Sequence, residues 1–516
     1  MNRNRMIDFL KFSPDIFDII IIGGGATGLG AAVDAASRGY RILLLEGHDF
    51  AKGTSSRSSK LIHGGLRYLR KGNIKLVKEA LYERGLLYKN APHLIRKLPF
   101  LIPTKSWVEN KYYQLGLKFY DSLAKGSNFE QSETLKREEI LKALPFLDEL
   151  DIYGGIRYFD GQFDDARLAI TLAKTSVWMN GVVVNYCPVT GLLKKNGKVN
   201  GVIAHDVINK EEYRLHAKVV INATGVFSDE ICKMDDINSP KILSPSQGIH
   251  LVFKDLLKSK QAVIIPRTTD KRLLFLIPWY NHTLVGTTDT EVDRVMYEPI
   301  PLESEVDFLL ENASKYLKRA LTKNDILSVF SGLRPLVSKK EKSAAELSRE
   351  HAIRLSKSNL VTIIGGKWTT YRKMAEDVID KAVEVAGLKF YPSNTKNLKL
   401  QGYLERTNDE NPLNIYGTEK EKITQIIKEN PEFAKPIHPE LSYLASEVIC
   451  ACREEMAETL EDVLARRTRS LFLNANAAVE SSKIVVDLMA DEKAKDEAWK
   501  KNQLLAINKL SKKYLI

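Results

Sequence analysis

Near its start the chain reads Asp18-Ile-Ile-Ile-Ile-Gly-Gly-Gly-Ala-Thr-Gly28. The four isoleucines predict a buried strand, and the small residues after the glycine-rich turn favour a closely packed helix. A second apolar run, Arg41-Ile-Leu-Leu-Leu-Glu46, predicts the next strand and ends in an acid. The order of strand, tight turn, helix and strand is typical of a dinucleotide-binding fold.

The glycines of this turn have separate structural reasons. Gly23 permits the turn, Gly25 lets the backbone approach a pyrophosphate, and Gly28 allows the helix to pack closely on the strand. The helix then begins at about Ala26 and Thr27, whose amides would face the phosphates. These positions therefore predict a phosphate-binding turn.

Glu46 lies 18 positions after Gly28, close to the spacing of a carboxylate that accepts hydrogen bonds from an adenosine ribose. An acid at that place would repel a 2′-phosphate. The sequence therefore disfavours NADP at this site.

Composition indicates a large globular protein of two or three domains. The 516 residues are 44% hydrophobic and 28% charged, which excludes fibrous and disordered classes. The four cysteines lack CxxC spacing and favour free thiols in a reducing compartment, and we predict no metal site. No apolar run is long enough for a signal peptide or a membrane span. The net charge of +12 is scattered without a recognition motif, so we expect no nucleic acid partner.

Further strands predict how the chain is divided. The runs 218–225 and 359–372 are apolar strands that enter small-residue turns, whereas segments such as 272–279 suggest a second, mixed sheet. The predicted fold is α/β and α+β: a Rossmann-like FAD-binding domain, an inserted mixed-sheet substrate domain and a C-terminal α-helical domain. We predict that the first comprises 1–95, 160–230 and 351–392, the second 96–159 and 231–350, and the third 393–516.

Several motifs, in order and spacing, resemble those of the FAD-dependent glycerol-3-phosphate dehydrogenases, which belong to the D-amino-acid-oxidase-like flavoproteins. Besides the glycine turn they are the run Ser55-Ser-Arg-Ser-Ser-Lys-Leu-Ile-His-Gly-Gly-Leu-Arg-Tyr-Leu69, Asp164-Asp-Ala-Arg167, Asn222-Ala-Thr-Gly225, Gly286-Thr-Thr-Asp289, Ser331-Gly-Leu-Arg-Pro335, Gly365-Gly-Lys-Trp-Thr-Thr-Tyr-Arg372 and Ala465-Arg-Arg-Thr-Arg469. The resemblance covers essentially the whole chain. Trp368 and Leu333 depart from the residues common in the family.

The resemblance implies FAD as cofactor. Hydroxyls and amides after Glu46 suit its phosphates and ribityl chain, and a glycine pair followed by a helix suits its pyrimidine edge. Beyond the first turn, the residues expected at the cofactor are Thr54, Ser55, Ser58, Ser59, Lys60, Gly225, Gly366, Lys367, Thr369 and Thr370. The positive charge of Lys367 would stabilise the anionic reduced flavin.

The resemblance also implies a small dianionic substrate, sn-glycerol 3-phosphate, which would be oxidised to dihydroxyacetone phosphate by hydride transfer from C2 to flavin N5. Arg67, Arg334 and Arg349 are the arginines expected around it, with Tyr68 beside them, because guanidinium groups bind phosphate bidentately.

His63 and His250 are the candidate catalytic bases, because an imidazole titrates near neutral pH. Arg334 could instead lower the pKa of the substrate hydroxyl by electrostatics, and the sequence does not decide between these mechanisms.

The same resemblance implies ubiquinone or menaquinone as electron acceptor, and a cytoplasmic protein held peripherally on the inner face of the cytoplasmic membrane. The segment 491–516 has seven lysines among apolar residues, so it could lie on anionic lipid or pack on its own domain. A homodimer is compatible with the sequence.

Three alternatives stay open. An oxidase that uses oxygen shares every motif, but would favour an extra insertion in the substrate domain, which the sequence lacks. A related amine oxidase would prefer a carboxylate clamp to a phosphate clamp. A flavin sensor without turnover leaves the arginines, His63 and Lys367 without a reason to accompany the dinucleotide turn.

Overall fold

A computed structural model describes residues 1–12, 16–70, 72–124, 126, 129–147, 152–266, 268–270, 272–336, 351–405 and 411–516, and only the backbone of Arg67 and Arg70. Its strands are β1 Phe17–Ile22, β2 Ile42–Leu45, β3 Leu61–Ile62, β4 Ile95–Thr104, β5 Glu133–Lys136, β6 Gly154–Phe163, β7 Val182–Val184, β8 Val189–Lys195, β9 Lys198–Asp206, β10 Glu211–Asn222, β11 Ser246–Lys254, β12 Ala262–Ile265, β13 Leu274–Trp279, β14 His282–Gly286, β15 Thr290–Glu291, β16 Ile326–Arg334, β17 His351–Leu355, β18 Val361–Gly365, β19 Pro436–His438 and β20 Leu441–Leu444. Its α-helices are α1 Arg3–Phe12, α2 Ala26–Ser37, α3 Leu66–Arg70, α4 Ile74–Asn90, α5 Trp107–Leu123, α6 Arg137–Ala143, α7 Asp165–Trp178, α8 Ser228–Asp235, α9 Glu303–Ser314, α10 Tyr371–Ala386, α11 Lys420–Glu429, α12 Ala445–Glu454, α13 Ser470–Leu473, α14 Ala475–Lys493 and α15 Glu497–Ser511.

The first sheet contains the strands on either side of the glycine-rich turn. Its strands lie in the order β17-β18-β10-β1-β2-β7, and the pairs from β18 to β7 are parallel. Helices α2, α7 and α10 pack beside one another and share one apolar core with these strands. Ile19 and Ile21 belong to that core, while Ile20 and Ile22 face the opposite one, which explains why the run is apolar at every position.

The second sheet has ten strands in the order β15-β11-β14-β13-β12-β4-β6-β3, with β16 beside β11 and β5 beside β6. Its pairs are antiparallel except for β4 with β12. His250 lies on β11 and Arg334 ends β16, and these two strands are paired with each other. This is the mixed-sheet architecture that the sequence predicts.

The C-terminal part is built mainly from helices α11 to α15, and it also contains the β19–β20 hairpin. It shares one apolar core with the second sheet, in which Phe472 packs against both Phe330 and Tyr514. Because Tyr514 is buried and its carbonyl accepts a hydrogen bond from the amide of Val329, the segment 491–516 packs on the protein.

The predicted fold class is confirmed: a Rossmann-like domain, a mixed-sheet domain and a C-terminal helical part. The strands of the two sheets fall close to the predicted segments, with two differences. Strand β3 lies within 1–95 but pairs with β6 of the second sheet, and β6 crosses the boundary at residue 160. The domain boundaries themselves stay a prediction.

Candidate active site

A cavity of about 500 Å³ opens at the carboxyl ends of the parallel strands and continues to the second sheet. One end is lined by Gly25 and Glu46, and the other by His63, Arg334 and Lys367. Parallel sheets collect their ligands at this edge, and the volume is that of a small-molecule site. The two sets of residues predicted from different motifs therefore share one cavity.

Close packing explains the glycines of the first turn. Gly23 has a φ of +107°, and a Cβ there would lie 2.8 Å from the carbonyl oxygen of Ala223. A Cβ at Gly28 would lie 1.9 Å from the carbonyl oxygen of Gly23, so the helix can approach the turn only if this residue is glycine. Gly28 therefore serves packing and does not line the cavity, as its predicted reason requires.

The helix α2 begins at Ala26, with Gly25 as its N-cap. The amide of Ala26 donates to Ser55 Oγ over 2.9 Å, so the serine-rich segment is fixed to the start of this helix. Gly25, Ala26 and Thr27 all line the cavity, and the first-turn amides of a helix are the groups that favour an anion.

Glu46 ends β2 and lines the cavity. Its carboxylate accepts from the amides of Gly24, at 2.6 Å, and His48, at 2.9 Å. Burial raises the pKa of Glu46, and these two hydrogen bonds oppose that effect. The bonds orient the carboxylate, as a ribose acceptor requires.

No motif in the sequence predicts the aromatic residues near this end. Tyr297 lines the cavity and stacks on Phe227 with their ring centroids 4.1 Å apart, and His48 meets the same tyrosine ring edge-on at 4.3 Å. Tyr297 lies in a connection between β15 and α9, far from the dinucleotide motif in sequence. Only the folded chain brings it there.

The cavity is also lined by Thr54, Ser55, Ser58 and Ser59. Their hydroxyls form hydrogen bonds with other protein atoms. Thr54 Oγ1 donates to the carbonyl of Leu333 at 2.6 Å. Ser58 Oγ donates to Asp165 Oδ2 at 2.7 Å, and Ser59 Oγ lies 2.8 Å from His250 Nε2. Their predicted contacts with the cofactor stay a prediction.

The departure at Trp368 has a structural explanation. The indole Nε1 of Trp368 donates to the carbonyl of Ser55 over 2.9 Å. Its ring also packs edge-on against Phe163. A smaller residue would lack this donor, so the tryptophan adds a hydrogen bond between the 3₁₀ turn before α10 and the serine-rich segment.

Lys60 does not line the cavity, and its predicted contact with the cofactor stays a prediction. Its ammonium is fully buried beneath the segment, 2.7 Å from Asp165 Oδ2 and 2.8 Å from the carbonyl of Ser56, and it is not among the lining residues. Burial, reinforced by the charge of Arg469, lowers the pKa of Lys60 to about 7. Lys60 is a structural ion-pair partner.

Of the other predicted cofactor residues, some line the cavity and one does not. Gly225 lines the cavity at the start of a 3₁₀ turn, with a φ of +60°, and Gly366, with a φ of +74°, lines it at the end of β18. Thr369 lines it as well. Thr370 is buried outside the lining, and its hydroxyl donates to the carbonyl of Lys367 at 3.2 Å.

His250 is buried at the end of the cavity that is lined by His63, Arg334 and Lys367. It lies on β11, and its ring stacks on Phe330 with centroids 4.9 Å apart. Burial, together with the charges of Lys60 and Arg334, lowers the pKa of His250 to about 3. The imidazole is therefore neutral at neutral pH.

Arg334 ends β16 with its guanidinium held by the neighbouring strands. Nη2 donates to the carbonyl of Thr288 at 2.8 Å, and Nη1 donates to Asp289 Oδ1 at 3.2 Å. The group crosses β11 at Gly248, where a Cβ would lie 2.3 Å from Nη2. With 32% of its side chain exposed, Arg334 presents a fixed positive charge to the cavity.

Lys367 and Tyr68 both line the cavity and meet each other, with the ammonium 4.4 Å from the centre of the tyrosine ring. The amide of His63 donates to Thr369 Oγ1 over 3.3 Å, which joins the His63 loop to the start of α10. The backbone of Arg67 lies in α3, and its side chain, like Arg349, is outside the described residues. The roles of these two arginines stay predictions.

A cluster of buried arginines and acids lies beneath the cavity, and no motif predicted a role for it. Asp49 accepts from Arg466 at 2.5 Å and from Arg467 at 2.6 Å, and Arg469 donates to the carbonyl of Ser56 at 2.8 Å. The motif Ala465-Arg-Arg-Thr-Arg469 is the available signal, since three arginines among apolar residues are rarely all on a surface.

These features fit FAD. The cavity has a glycine turn with the start of a helix, an oriented carboxylate at a strand end, and a second glycine turn near cationic residues, which are the groups an extended dinucleotide needs.

Comparisons with known proteins agree. Residues 18–372 match the family model "FAD dependent oxidoreductase", and residues 356–500 match the "C-terminal domain of alpha-glycerophosphate oxidase". The mitochondrial glycerol-3-phosphate dehydrogenase of Bos taurus is 39% identical over 540 residues, covering 98% of this chain and 74% of the relative. The glycerol-3-phosphate dehydrogenase of Mycobacterium leprae (strain TN) is 38% identical over 509 residues, covering 95% and 87%.

A solved structure gives the same result. The glycerol-3-phosphate dehydrogenase from Bacillus halodurans, complexed with FAD, superposes with a TM-score of 0.80 at 29% identity and covers 99% of this chain and 98% of its own. FAD is accordingly the cofactor of this fold. The chain belongs to the FAD-dependent glycerol-3-phosphate dehydrogenase family.

Proposed function

We propose that the protein oxidises sn-glycerol 3-phosphate to dihydroxyacetone phosphate and passes the electrons to a membrane quinone, ubiquinone or menaquinone. One observation carries the substrate half of this proposal: a single cavity has a dinucleotide turn at one end and His63, Arg334 and Lys367 at the other. The names of the relatives identify the compound that such a cationic end would take.

The reaction removes a hydride from C2 and a proton from the C2 hydroxyl. FAD, when bound, supplies the hydride acceptor. The residues of the chain have two other tasks, which are to hold a dianion and to take the proton. Arg334 and Lys367 provide positive charge in a partly enclosed site, where charge acts more strongly than in water.

We assign to His63 the role of the base that takes the proton from the C2 hydroxyl. The pKa of about 3 makes His250 a very weak base, so it serves better as a neutral partner that orients the substrate hydroxyl. His63 lies in the loop between β3 and α3, beside the cavity, and is the other imidazole there. Arg334 would assist by stabilising the negative charge that develops on oxygen.

The quinone and the membrane belong to the same proposal. The relatives are named dehydrogenases, which favours an acceptor other than oxygen. Within the described parts of the chain, no helix has the length and apolarity to cross a bilayer. We also propose peripheral attachment to the inner face of the cytoplasmic membrane, where a quinone acceptor would be reached. Dimerisation stays a prediction.

Oxygen is a second candidate acceptor, because residues 356–500 match a domain named after an oxidase. Anaerobic titration of the holoenzyme with sn-glycerol 3-phosphate, followed through the visible flavin absorbance, tests both ideas. We expect bleaching by substrate, rapid recovery on a soluble quinone and slow recovery on oxygen. Fast recovery on oxygen would establish the oxidase, and the absence of bleaching would contradict the proposed substrate.

A further inference from the structure

Helix α5 exposes an apolar stripe. Trp107, Val108, Tyr112, Leu115 and Phe119, the α5 stripe, are between 45% and 69% exposed. Residues 108, 112, 115 and 119 are spaced by four, three and four, which puts them on one side of the helix. In the described part of the chain no other α-helix exposes more than two large apolar side chains. A concentration of this kind on one element marks an interaction surface.

The exposed charges beside the stripe are positive. Lys111 and Lys118 are exposed within α5, and Lys105 is exposed just before it. The two acids of the helix accept hydrogen bonds from backbone amides. Glu109 accepts from the amide of Lys105 at 2.8 Å, and Asp121 accepts from the amide of Ser132 at 2.8 Å.

The opposite face of α5 is anchored beside the reacting end of the cavity. Tyr120 is fully buried, donates to Asp160 Oδ2 at 2.8 Å and accepts from the amide of Gly64 at 2.9 Å. Gly64 follows His63, which lines the cavity. The helix that carries the stripe is therefore hydrogen-bonded to the loop that contains His63, and its exposed apolar residues lie on another face.

We propose that the α5 stripe lies on an anionic lipid surface, with the stripe among the acyl chains and the three lysines at the headgroups. An amphipathic helix with aromatic and aliphatic residues on one face and lysines beside them has this binding chemistry. Anionic lipid attracts such lysines over about one Debye length. The inference gives the proposed membrane partner a place on the molecule, and to that extent rests on the proposed function.

The C-terminal helix α15 is the competing surface, and its side chains argue against it. Trp499, Leu504 and Leu510 pack against the apolar core, and Leu505 is an isolated exposed leucine, 60% accessible. Leu505 therefore provides a matched control: a leucine about as exposed as Leu115, on another helix with exposed lysines.

The test is sedimentation of the holoenzyme with vesicles of phosphatidylcholine, with and without phosphatidylglycerol. We expect the double variant Leu115→Ser, Phe119→Ser to bind the anionic vesicles at least about tenfold more weakly. Lys111→Gln with Lys118→Gln should weaken binding and flatten its dependence on salt. Leu505→Ser should bind like the unchanged protein. Flavin content and the unfolding midpoint check that each variant is folded.

Two results would overturn the inference. The first is vesicle binding that stays unchanged in the stripe variants. The second is a stripe variant with a changed sedimentation coefficient in the absence of vesicles, which would make the stripe an interface between two copies of the chain. Turnover with a soluble short-chain quinone separates this result from the proposed function. If the stripe variants keep their turnover and their vesicle binding is unchanged, only the α5 assignment is contradicted. If the stripe variants lose vesicle binding but the protein reduces no quinone, the α5 assignment is supported and only the proposed electron acceptor is contradicted.

Discussion

At the scale of single residues, His63 and His250 line the same cavity in different surroundings. His250 is enclosed between Phe330 and Ser59, and the charges of Lys60 and Arg334 add to the effect of burial on its pKa. His63 sits in a loop and is only partly buried. Two imidazoles that look equivalent in the sequence thus differ in how deeply the fold buries them.

This difference predicts separate pH profiles. Because the pKa of His250 is lowered to about 3, its imidazole stays neutral from mildly acidic pH upward. In His250→Asn we expect kcat/KM to fall while the acid limb of its pH profile stays in place. In His63→Asn the limb should disappear. Loss of the limb in the His250 variant alone would reverse the assignment of the base.

Gly248 permits a second prediction at this scale. In Gly248→Ala the new Cβ would lie 2.3 Å from Arg334 Nη2 and 2.7 Å from Thr287 Oγ1. The end of a flexible side chain yields more easily than the strand, so the guanidinium should move. We expect kcat/KM for sn-glycerol 3-phosphate to fall by about tenfold or more, roughly 1.4 kcal/mol, with FAD content and unfolding midpoint nearly unchanged.

Gly116→Ala is the matched control for Gly248→Ala, since nothing lies within 4 Å of a Cβ at that position of α5. It should leave kcat/KM unaltered. If Gly248→Ala also kept full activity, Arg334 would not depend on its present place for catalysis.

Local rules explain which site residues were predictable. The spacing from Gly28 to Glu46 depends on one helix and one strand, so sequence spacing places Glu46 at the cavity. Lys60 follows two predicted serines, but whether its side chain points into the cavity or beneath it depends on Asp165, about a hundred residues later. Side-chain direction at such positions is decided by burial of charge, which no local motif encodes.

At the scale of elements, the start of α12 contains a titrating group. Glu447 is buried in the first turn, where it accepts from the amide of Leu444 at 2.8 Å and from the hydroxyl of Tyr416 at 2.9 Å. Burial raises the pKa of Glu447 to about 7. Between pH 4.5 and 7 the folded protein keeps a proton that the unfolded chain has released, so its stability falls as the pH rises through this window.

Glu447→Gln should remove that pH dependence. The free energy of unfolding of the variant, relative to the unchanged protein, should increase from pH 4.5 to 7 by at most about 3 kcal/mol and level off above pH 7. An offset independent of pH is expected, because the new amide NH₂ faces a donor. Urea unfolding at several pH values measures the difference. Glu421→Gln, on the exposed side of α11, should show none, and a flat difference for Glu447→Gln would contradict the raised pKa.

Elements were predicted well where a pattern is local and less well where a partner is needed. The strand-turn-helix units at β1, β10 and β18 follow from apolar runs that end in glycine. The amphipathic pattern of the C-terminal tail is equally clear, but it shows only that one face is apolar. Its partner is the second sheet, reached through Tyr514.

At the scale of the whole molecule, the C-terminal part supplies the charges that support the cavity. Its arginines 466, 467 and 469 are buried and pair with Asp49 and Asp165 of the dinucleotide-binding part. These pairs join residues more than 300 positions apart, so spacing could not predict them. The segment from Ala51 to Ser59, most of which lines the cavity, is therefore supported by residues near the end of the chain.

Asp49→Asn tests this support. Burial would raise the pKa of Asp49, but Arg467 and Arg466 lower it to about 2, so the carboxylate is charged at neutral pH. Removing the charge leaves two buried guanidiniums without their shared partner, although each keeps another acid nearby. We expect a loss of roughly 3 kcal/mol in the free energy of unfolding and faster release of FAD.

Two further variants decide whether the effect of Asp49→Asn comes from the ion pairs. Arg467→Met in the same chain removes one of the stranded charges, so the double variant should lose less stability than the two single changes added together. Glu303→Gln, which removes an exposed partner of Lys323, should change the unfolding midpoint little. If Asp49→Asn weakened stability but left FAD release unchanged, the ion pairs would hold the two parts of the chain together without supporting the cavity wall.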